Sequence, residues 1–150
     1  MDSTPTTLFL PDDDATAALA SRIAAMLRPG DIVLLEGDLG AGKTALARGI
    51  IRALSDDPRL EVPSPSFALV QPYAAGAWSI LHADLYRLQA ANEIEELGLL
   101  DGIDTLVLVE WPERVPGLAD KATVRIALGI PANGVGRTAT IVAADGRQLE

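Results

Sequence analysis

The chain has 150 residues, of which 49% are hydrophobic, and it carries a formal net charge of −9. A mean hydropathy of +0.24 argues against disorder, and a pI near 4.5 is the reverse of the clustered Lys and Arg surface that holds DNA or RNA directly. Zero cysteines exclude a disulfide framework, a cysteine zinc site and thiol catalysis, and a single histidine, His82, excludes a multi-histidine metal site.

The length predicts one domain over residues 1–150, with no room for a second catalytic domain. The first seven residues, MDSTPTT, lack the basic residues and long apolar core of a signal peptide. No apolar run approaches the ~20 residues of a membrane span. We therefore expect a cytoplasmic protein with no membrane contact.

Apolar periodicity in the first half of the chain predicts two strands that alternate with two helices. Residues 6–10 are a short predicted strand, and residues 11–14 begin a helix to about residue 27, with an acidic first turn that suits the helix dipole. Residues 31–36 are apolar enough for a buried strand. Residues 44–54 carry leucine and isoleucine at helical spacing and predict the second helix.

The second half of the chain predicts mainly strands. Residues 62–67 are too rich in proline for a helix and predict an extended loop. The predicted elements that follow are a hairpin of strands 67–73 and 77–82, a short acidic helix at 92–97, a buried strand at 104–110 and a second hairpin of strands 122–130 and 137–144. This order predicts an α/β fold with a mixed sheet, mainly parallel with antiparallel strands and flanked by helices.

A glycine-rich segment, GDLGAGKT at residues 37–44, lies between the predicted strand and helix and fits the phosphate-loop pattern G-x-x-x-x-G-K-[ST]. Its glycines let backbone N–H groups turn inward around a phosphate, at the partly positive N-terminus of the helix. Lys43 would reach the β and γ phosphates, and the Thr44 hydroxyl would ligate Mg²⁺. The alternative, a glycine-rich turn with a chance lysine, leaves the flanking strand and helix unexplained. The predicted nucleotide contacts in this loop are Gly37, Asp38, Leu39, Gly40, Ala41, Gly42, Lys43 and Thr44.

Two acidic residues at strand ends are candidates for completing a magnesium site. Glu110 ends the strand at 104–110, and Asp84 follows the strand at 77–82. Either could hold the metal directly or through water, and the alternative for each is a solvated carboxylate. Ser64 and Ser66 lie in the proline-bracketed loop and could sense a γ phosphate, or simply form a turn. We interpret His82 as a packed strand histidine rather than a base.

Four motifs, taken together in this order and spacing, resemble the TsaE (YjeE) family. They are GDLGAGKT at 37–44, SPSF at 64–67, HADLYRL at 82–88 and EWP at 110–112, and the resemblance covers about residues 8–130. That family is the small bacterial ATPase component of the machinery that makes threonylcarbamoyladenosine next to the anticodon of tRNAs reading codons that start with A. The resemblance therefore implies a P-loop NTPase-like fold and ATP or ADP as the bound nucleotide.

The resemblance also implies roles for individual residues. Lys43, Thr44 and Glu110 would form the ATP site, with Thr44 and Glu110 at Mg²⁺, and Asp84 would be needed for hydrolysis. Ser66 stands where the family usually has threonine, and it keeps the hydroxyl that could contact the γ phosphate. Thr16 matches a family threonine near the adenine.

The resemblance further implies partners. The family associates with the TsaB and TsaD proteins, of which TsaD transfers the threonylcarbamoyl group, so tRNA would be reached only through these partners. ATP hydrolysis would reset the assembly with these partners. The C-terminal twenty residues match the family poorly, so the resemblance does not extend to Arg137.

Three other functions share a phosphate loop. A small-molecule kinase needs charge neutralisation around the transferred phosphoryl group, yet this chain has no evident arginine-rich lid. A GTPase would carry an Asn-Lys-x-Asp sequence, which does not occur here. A nucleotide-sensing module without turnover is the third alternative. Trp111 follows Glu110 at the carboxyl edge of the predicted sheet, so it is expected near the nucleotide, with a core or interface anchor as the alternative.

Overall fold

The computed structural model describes residues 4–90 and 92–149. Its elements in chain order are β1 (Thr6–Leu10), α1 (Asp13–Met26), β2 (Ile32–Glu36), α2 (Lys43–Ser55), β3 (Val70–Ala75), β4 (Trp78–Asp84), α3 (Glu93–Glu96), β5 (Thr105–Glu110), β6 (Val124–Gly129) and β7 (Arg137–Ala143). Two short 3₁₀ helices, Pro112–Arg114 and Leu118–Lys121, follow β5. Within the described ranges, no helix is long and apolar enough to cross a bilayer.

The seven strands form one mixed sheet with the order β1-β7-β6-β2-β5-β4-β3. The neighbours β6, β2, β5 and β4 pair in parallel, whereas β7 is antiparallel to β6, β1 to β7 and β3 to β4. All strands except β7 and β3 therefore run in one direction. This arrangement confirms the predicted mixed, mainly parallel sheet and both predicted hairpins.

The first strand of the β3–β4 hairpin begins later than the sequence predicts. Residues 67–69 were expected in the strand, but β3 starts at Val70. The chain turns first, because Leu69 adopts a left-handed φ of 66° and its N–H donates to the Pro65 carbonyl at 2.7 Å. The turn ends against the sheet, where the Leu69 carbonyl accepts from the Asp84 N–H at 2.9 Å. Phe67 consequently lies outside the sheet with 84% of its surface exposed.

The sheet carries a separate apolar cluster on each face. Along β5, Leu106 and Leu108 belong to the cluster that includes the buried residues of α1 and α2, while Val107 and Val109 belong to the other. This alternation follows from the pleat, which sends successive side chains to opposite faces. Helices α1 and α2 pack closely, since a Cβ added to Gly49 would lie 2.6 Å from the Ala20 Cβ. The phosphate loop joins the carboxyl end of β2 to α2, one of these two helices.

A buried ion pair joins Arg147, close to the C-terminus, to Asp31. Arg147 donates to Asp31 through two nitrogens, at 2.8 and 3.1 Å, and both side chains are less than a tenth exposed. Asp31 also accepts from the Arg28 N–H at 2.7 Å and from the Thr123 hydroxyl at 3.0 Å. Asp31 precedes β2, so this cluster lies at the opposite edge of the sheet from the phosphate loop.

Candidate nucleotide-binding site

The loop between β2 and α2 has the backbone shape that its glycines permit. Gly37, Gly40 and Gly42 have φ values of 148°, 80° and 104°, all of which disfavour residues with a side chain. Gly37 is also constrained by space, because an added Cβ would lie 2.6 Å from the Leu128 carbonyl oxygen. Gly42 occupies the N-cap of α2 and has no side chain to occupy the N–H groups of the first turn. These N–H groups and the helix dipole form an anion-binding end.

Lys43, the first residue of α2, is buried and its side chain reaches back to the loop. Its ammonium donates to the Gly37 carbonyl and, at 2.9 Å, to the Asp38 carbonyl. The nitrogen also lies 4.0 Å from the centroid of the Trp111 ring, within cation–π range. Burial lowers the pKa of Lys43, while nearby carboxylates, Glu110 foremost, act to raise it. A bound phosphate would favour the charged ammonium in the same way as these carboxylates.

Thr44, Glu110 and His82 form a hydrogen-bonded row beside Lys43. The Thr44 hydroxyl donates to Glu110 Oε1 at 2.8 Å, and His82 Nε2 lies 2.7 Å from Glu110 Oε2. Glu110 is 2% exposed, and it pairs with Leu35 at the end of β2 in the parallel ladder. Mg²⁺ prefers oxygen ligands, keeps several waters and is bound by few protein groups. The hydroxyl and carboxylate present here fit that ion, and within residues 4–90 and 92–149 no group of three His, Cys, Asp or Glu residues could hold a metal.

Asp84 and the two loop serines meet at the same sheet edge. Asp84 ends β4 directly beside Glu110 in the ladder. Its Oδ1 accepts from the Tyr86 N–H at 2.9 Å, and its Oδ2 lies 3.4 Å from both Ser64 Oγ and Ser66 Oγ. The two serine oxygens are 2.8 Å apart. The structure thus brings Ser66 to the predicted hydrolytic acid rather than leaving it in solvent.

The aromatic ring of Trp111 packs against the Lys43 ammonium. Trp111 has a left-handed φ of 58° immediately after β5, and its ring is half-buried. Its centroid is 4.9 Å from that of Tyr86, and the Arg114 guanidinium lies 5.3 Å over the Tyr86 ring. The residue predicted near the nucleotide therefore contacts the phosphate-loop lysine directly.

A cavity of about 250 Å³ adjoins the loop. Thr16 lines it together with Gly40, Gly42 and Arg137. Arg137 donates from Nε to the Gly40 carbonyl at 3.1 Å. Thr16 and Arg137, 121 positions apart, are thus brought to one side of the phosphate loop. Leu39 points away from the fold, with 66% of its surface exposed.

The sequence missed one contact of the site, between His82 and Glu110. His82 is a packed strand histidine as predicted, with no exposed surface, but it also bonds to the acid at the end of the next strand. Spacing puts His82 on the same face as Asp84, two residues further along the strand, but the contact with Glu110 also requires the register between β4 and β5. The contact of Tyr86 with Trp111, at a tilt of 50° between the two rings, was also not predicted.

Comparison with known proteins gives a consistent family similarity. The family model described as "Threonylcarbamoyl adenosine biosynthesis protein TsaE" matches residues 10–138. The tRNA threonylcarbamoyladenosine biosynthesis protein TsaE of Rickettsia felis is 40% identical over 124 residues, which are 82% of this chain and 72% of that protein. The protein of the same name from Synechocystis is 43% identical over 116 residues, covering 73% of this chain and 72% of the relative.

The fold is also similar to a solved structure. The crystal structure of YdiB from Bacillus subtilis superposes with a TM-score of 0.71 at 26% sequence identity, covering 95% of this chain and 88% of that one. Together with the loop geometry, this similarity confirms the predicted P-loop fold class.

Proposed function

This chain belongs to the TsaE family, and on that premise we propose that it is a P-loop ATPase that binds and hydrolyses Mg²⁺-ATP to drive a TsaB/TsaD assembly. The family acts in tRNA threonylcarbamoyladenosine biosynthesis, as the names of its members state. We further propose that the whole chain acts as one P-loop domain, with tRNA held by the partners.

One observation carries the proposal: Lys43, Thr44 and Glu110 converge at one edge of the sheet. Lys43 begins α2, Thr44 follows it, and the Thr44 hydroxyl donates to Glu110 at 2.8 Å. A phosphate bound by the loop would therefore meet the ammonium and the hydroxyl together. Thr44 and Glu110 would hold Mg²⁺, which when bound neutralises charge on the β and γ phosphates.

Asp84 is proposed to assist hydrolysis. Its carboxylate lies beside Glu110, and one oxygen is held by the Tyr86 N–H while the other faces the two serines. A carboxylate restrained in this way can accept a hydrogen bond from an attacking water and orient it. Ser66, now 3.4 Å from Asp84, is proposed to contact the γ phosphate when nucleotide binds.

The nucleoside is proposed to occupy the cavity beside Thr16. This cavity adjoins Gly40 and Gly42, so a nucleotide whose phosphates lie in the loop could extend into it. The Trp111 indole would flank the phosphates from the opposite side, next to Lys43.

Net charge supports an indirect relation to tRNA. The formal net charge of −9 opposes direct binding of a phosphate backbone. Driving a conformational cycle in partners suits such a chain better than RNA chemistry.

The test is product analysis with a matched pair of variants. Purified chain, TsaB and TsaD are incubated with γ-labelled ATP, and we expect the label to appear as free phosphate. Glu110→Gln, which removes the carboxylate charge without changing its size, should abolish release. Glu61→Gln, an exposed carboxylate, should behave as wild type. Label on a metabolite would indicate a kinase, and wild-type hydrolysis by Glu110→Gln would overturn the site assignment.

A further inference from the structure

We propose that His82 is a positioning residue for the metal-binding carboxylate: its Nε2–H holds one oxygen of Glu110 so that the other stays on Thr44 and the metal position. This inference deepens the proposed function and rests on it. It goes beyond the phosphate loop and its acids, because His82 would contact neither nucleotide nor metal.

The two oxygens of Glu110 have separate partners. Oε2 lies 2.7 Å from His82 Nε2, and Oε1 accepts from the Thr44 hydroxyl at 2.8 Å. The terminal torsion of a glutamate is broad and roughly two-fold, so backbone geometry alone does not choose the plane of the carboxylate. A hydrogen bond on each oxygen does choose it. Because a carboxylate only accepts, the bond to Oε2 assigns the proton to Nε2.

Strand register explains how the ring reaches Glu110. In the β4–β5 ladder His82 pairs with Leu108, and Asp84 pairs with Glu110. Side chains alternate along each strand, so His82, Leu108 and Glu110 share the face covered by α1 and α2. The imidazole thus lies level with Leu108, two residues before Glu110 on β5, and reaches the carboxylate from within the core. The opposite side of the carboxylate is left to Thr44.

Packing alone does not account for a histidine here. The ring has no exposed surface, and within the part of the chain that the structure describes, Nδ1 has no hydrogen-bond partner. A buried polar nitrogen without a partner costs free energy that a leucine at this position would avoid. The neighbours on the same face, Ile80 and Leu108, are apolar. The hydrogen bond to Glu110 offsets this cost. Carboxylates that bind a metal are commonly held by such a second hydrogen bond from the protein.

The experiment separates the metal-dependent part of nucleotide binding from the rest. ADP affinity of the full chain is measured by calorimetry with Mg²⁺ and again with EDTA, and the ratio of the two affinities is the magnesium enhancement. His82→Leu keeps the bulk and removes the donor, whereas His82→Gln can place an amide N–H near the position of Nε2. Thermal unfolding confirms that each variant is folded. If His82→Leu does not fold, His82→Asn replaces it, because its amide is one methylene too short to reach Glu110.

We expect His82→Leu to reduce the magnesium enhancement about tenfold or more, the usual effect of losing a partner of a metal ligand, with the EDTA affinity unchanged. His82→Gln should restore most of the enhancement. In a Glu110→Gln background, His82→Leu should add no further loss, since the two residues act through one group.

An enhancement in folded His82→Leu equal to wild type would overturn the inference while leaving the proposed function standing. An equal loss in His82→Gln and His82→Leu would also overturn it, because the N–H would then not be the active feature. If wild type itself shows no enhancement, the proposed metal site fails first, and the inference fails with it.

Discussion

Replacing Gly42 by alanine tests whether the phosphate loop depends on a backbone shape that only glycine tolerates. Gly42 has a φ of 104°, and an added Cβ would have no atom within 4 Å. The substitution therefore creates no clash, and its whole cost is conformational. A left-handed backbone costs an L-residue about 1–2 kcal/mol, or about 3 at the upper end for strained regions. Because a φ of 104° lies outside the narrow left-handed region that L-residues reach, the upper part of this range applies, about 2–3 kcal/mol. Loss of unfolded-state freedom offsets up to about 1 kcal/mol of this, which leaves a net cost of about 1–2 kcal/mol.

This cost can appear in either of two measurements. If the loop keeps its shape in the free protein, the free energy of unfolding falls by the full amount and ADP affinity is unchanged. If the loop relaxes to an unstrained shape in the free protein, the free energy of unfolding is unchanged, but ADP binding must restore the strained shape. The affinity then falls by the same free energy, about 5-fold to 30-fold. We therefore expect the sum of the two losses to be about 1–2 kcal/mol, whichever way it divides.

Urea unfolding and calorimetry with Mg²⁺-ADP measure the two terms. Gly76→Ala is the matched control, because Gly76 also has a positive φ, 57°, with no atom within 4 Å of an added Cβ. It lies in the β3–β4 turn, at the sheet edge opposite Asp84, so it should lose stability alone. A summed loss below about 0.5 kcal/mol for Gly42→Ala, or an equal affinity loss in the control, would refute this account of the loop.

Three further predictions concern the fluorescence of Trp111, the net charge of the chain and the buried ion pair of Arg147. In a Trp78→Phe background, Mg²⁺-ADP should change the emission of Trp111, whose ring lies 4.0 Å from the Lys43 nitrogen; flat emission at calorimetrically confirmed saturation would remove this ring from the site. The purified chain should bind tRNA only non-specifically in a filter assay at physiological salt, and sub-micromolar affinity without partners would show that the acidic surface has been misread. Arg147→Met should lower the free energy of unfolding by about 3–5 kcal/mol, because it leaves Asp31 buried without its cation. It should leave ADP affinity unchanged, because this ion pair lies at the opposite edge of the sheet from the phosphate loop. A loss of stability under 1 kcal/mol, or a change in ADP affinity, would contradict this prediction.

Periodicity and the phosphate-loop pattern were sufficient to predict the elements around the site. The apolar run before Gly37 and the helical spacing after Thr44 gave β2 and α2 to within a residue or two. Glycine positions carried the loop shape, since Gly40 and Gly42 have the positive φ values that their residue type allows. The bounds of β2 and α2 and the positive φ values in the loop depend on residues close in sequence, which is why they could be predicted.

Features that depend on tertiary contacts were not predictable in the same way. The late start of β3 results from a left-handed Leu69, a conformation that no residue-type signal indicates. Strand alternation placed Asp84 and His82 on one face, but only the register with β5 brings the ring to Glu110.

The most direct test of the central claim is ATP turnover by Lys43→Ala. In the presence of TsaB and TsaD, wild type should release phosphate, and Lys43→Ala should not, because it loses the buried ammonium that we propose neutralises the β and γ phosphates. Lys121→Ala is the matched control: Lys121 is the other lysine of the chain and is exposed. Circular dichroism should show all three proteins folded alike. Phosphate release by Lys43→Ala at the rate of wild type and of Lys121→Ala would contradict the proposal that this loop is the ATPase site.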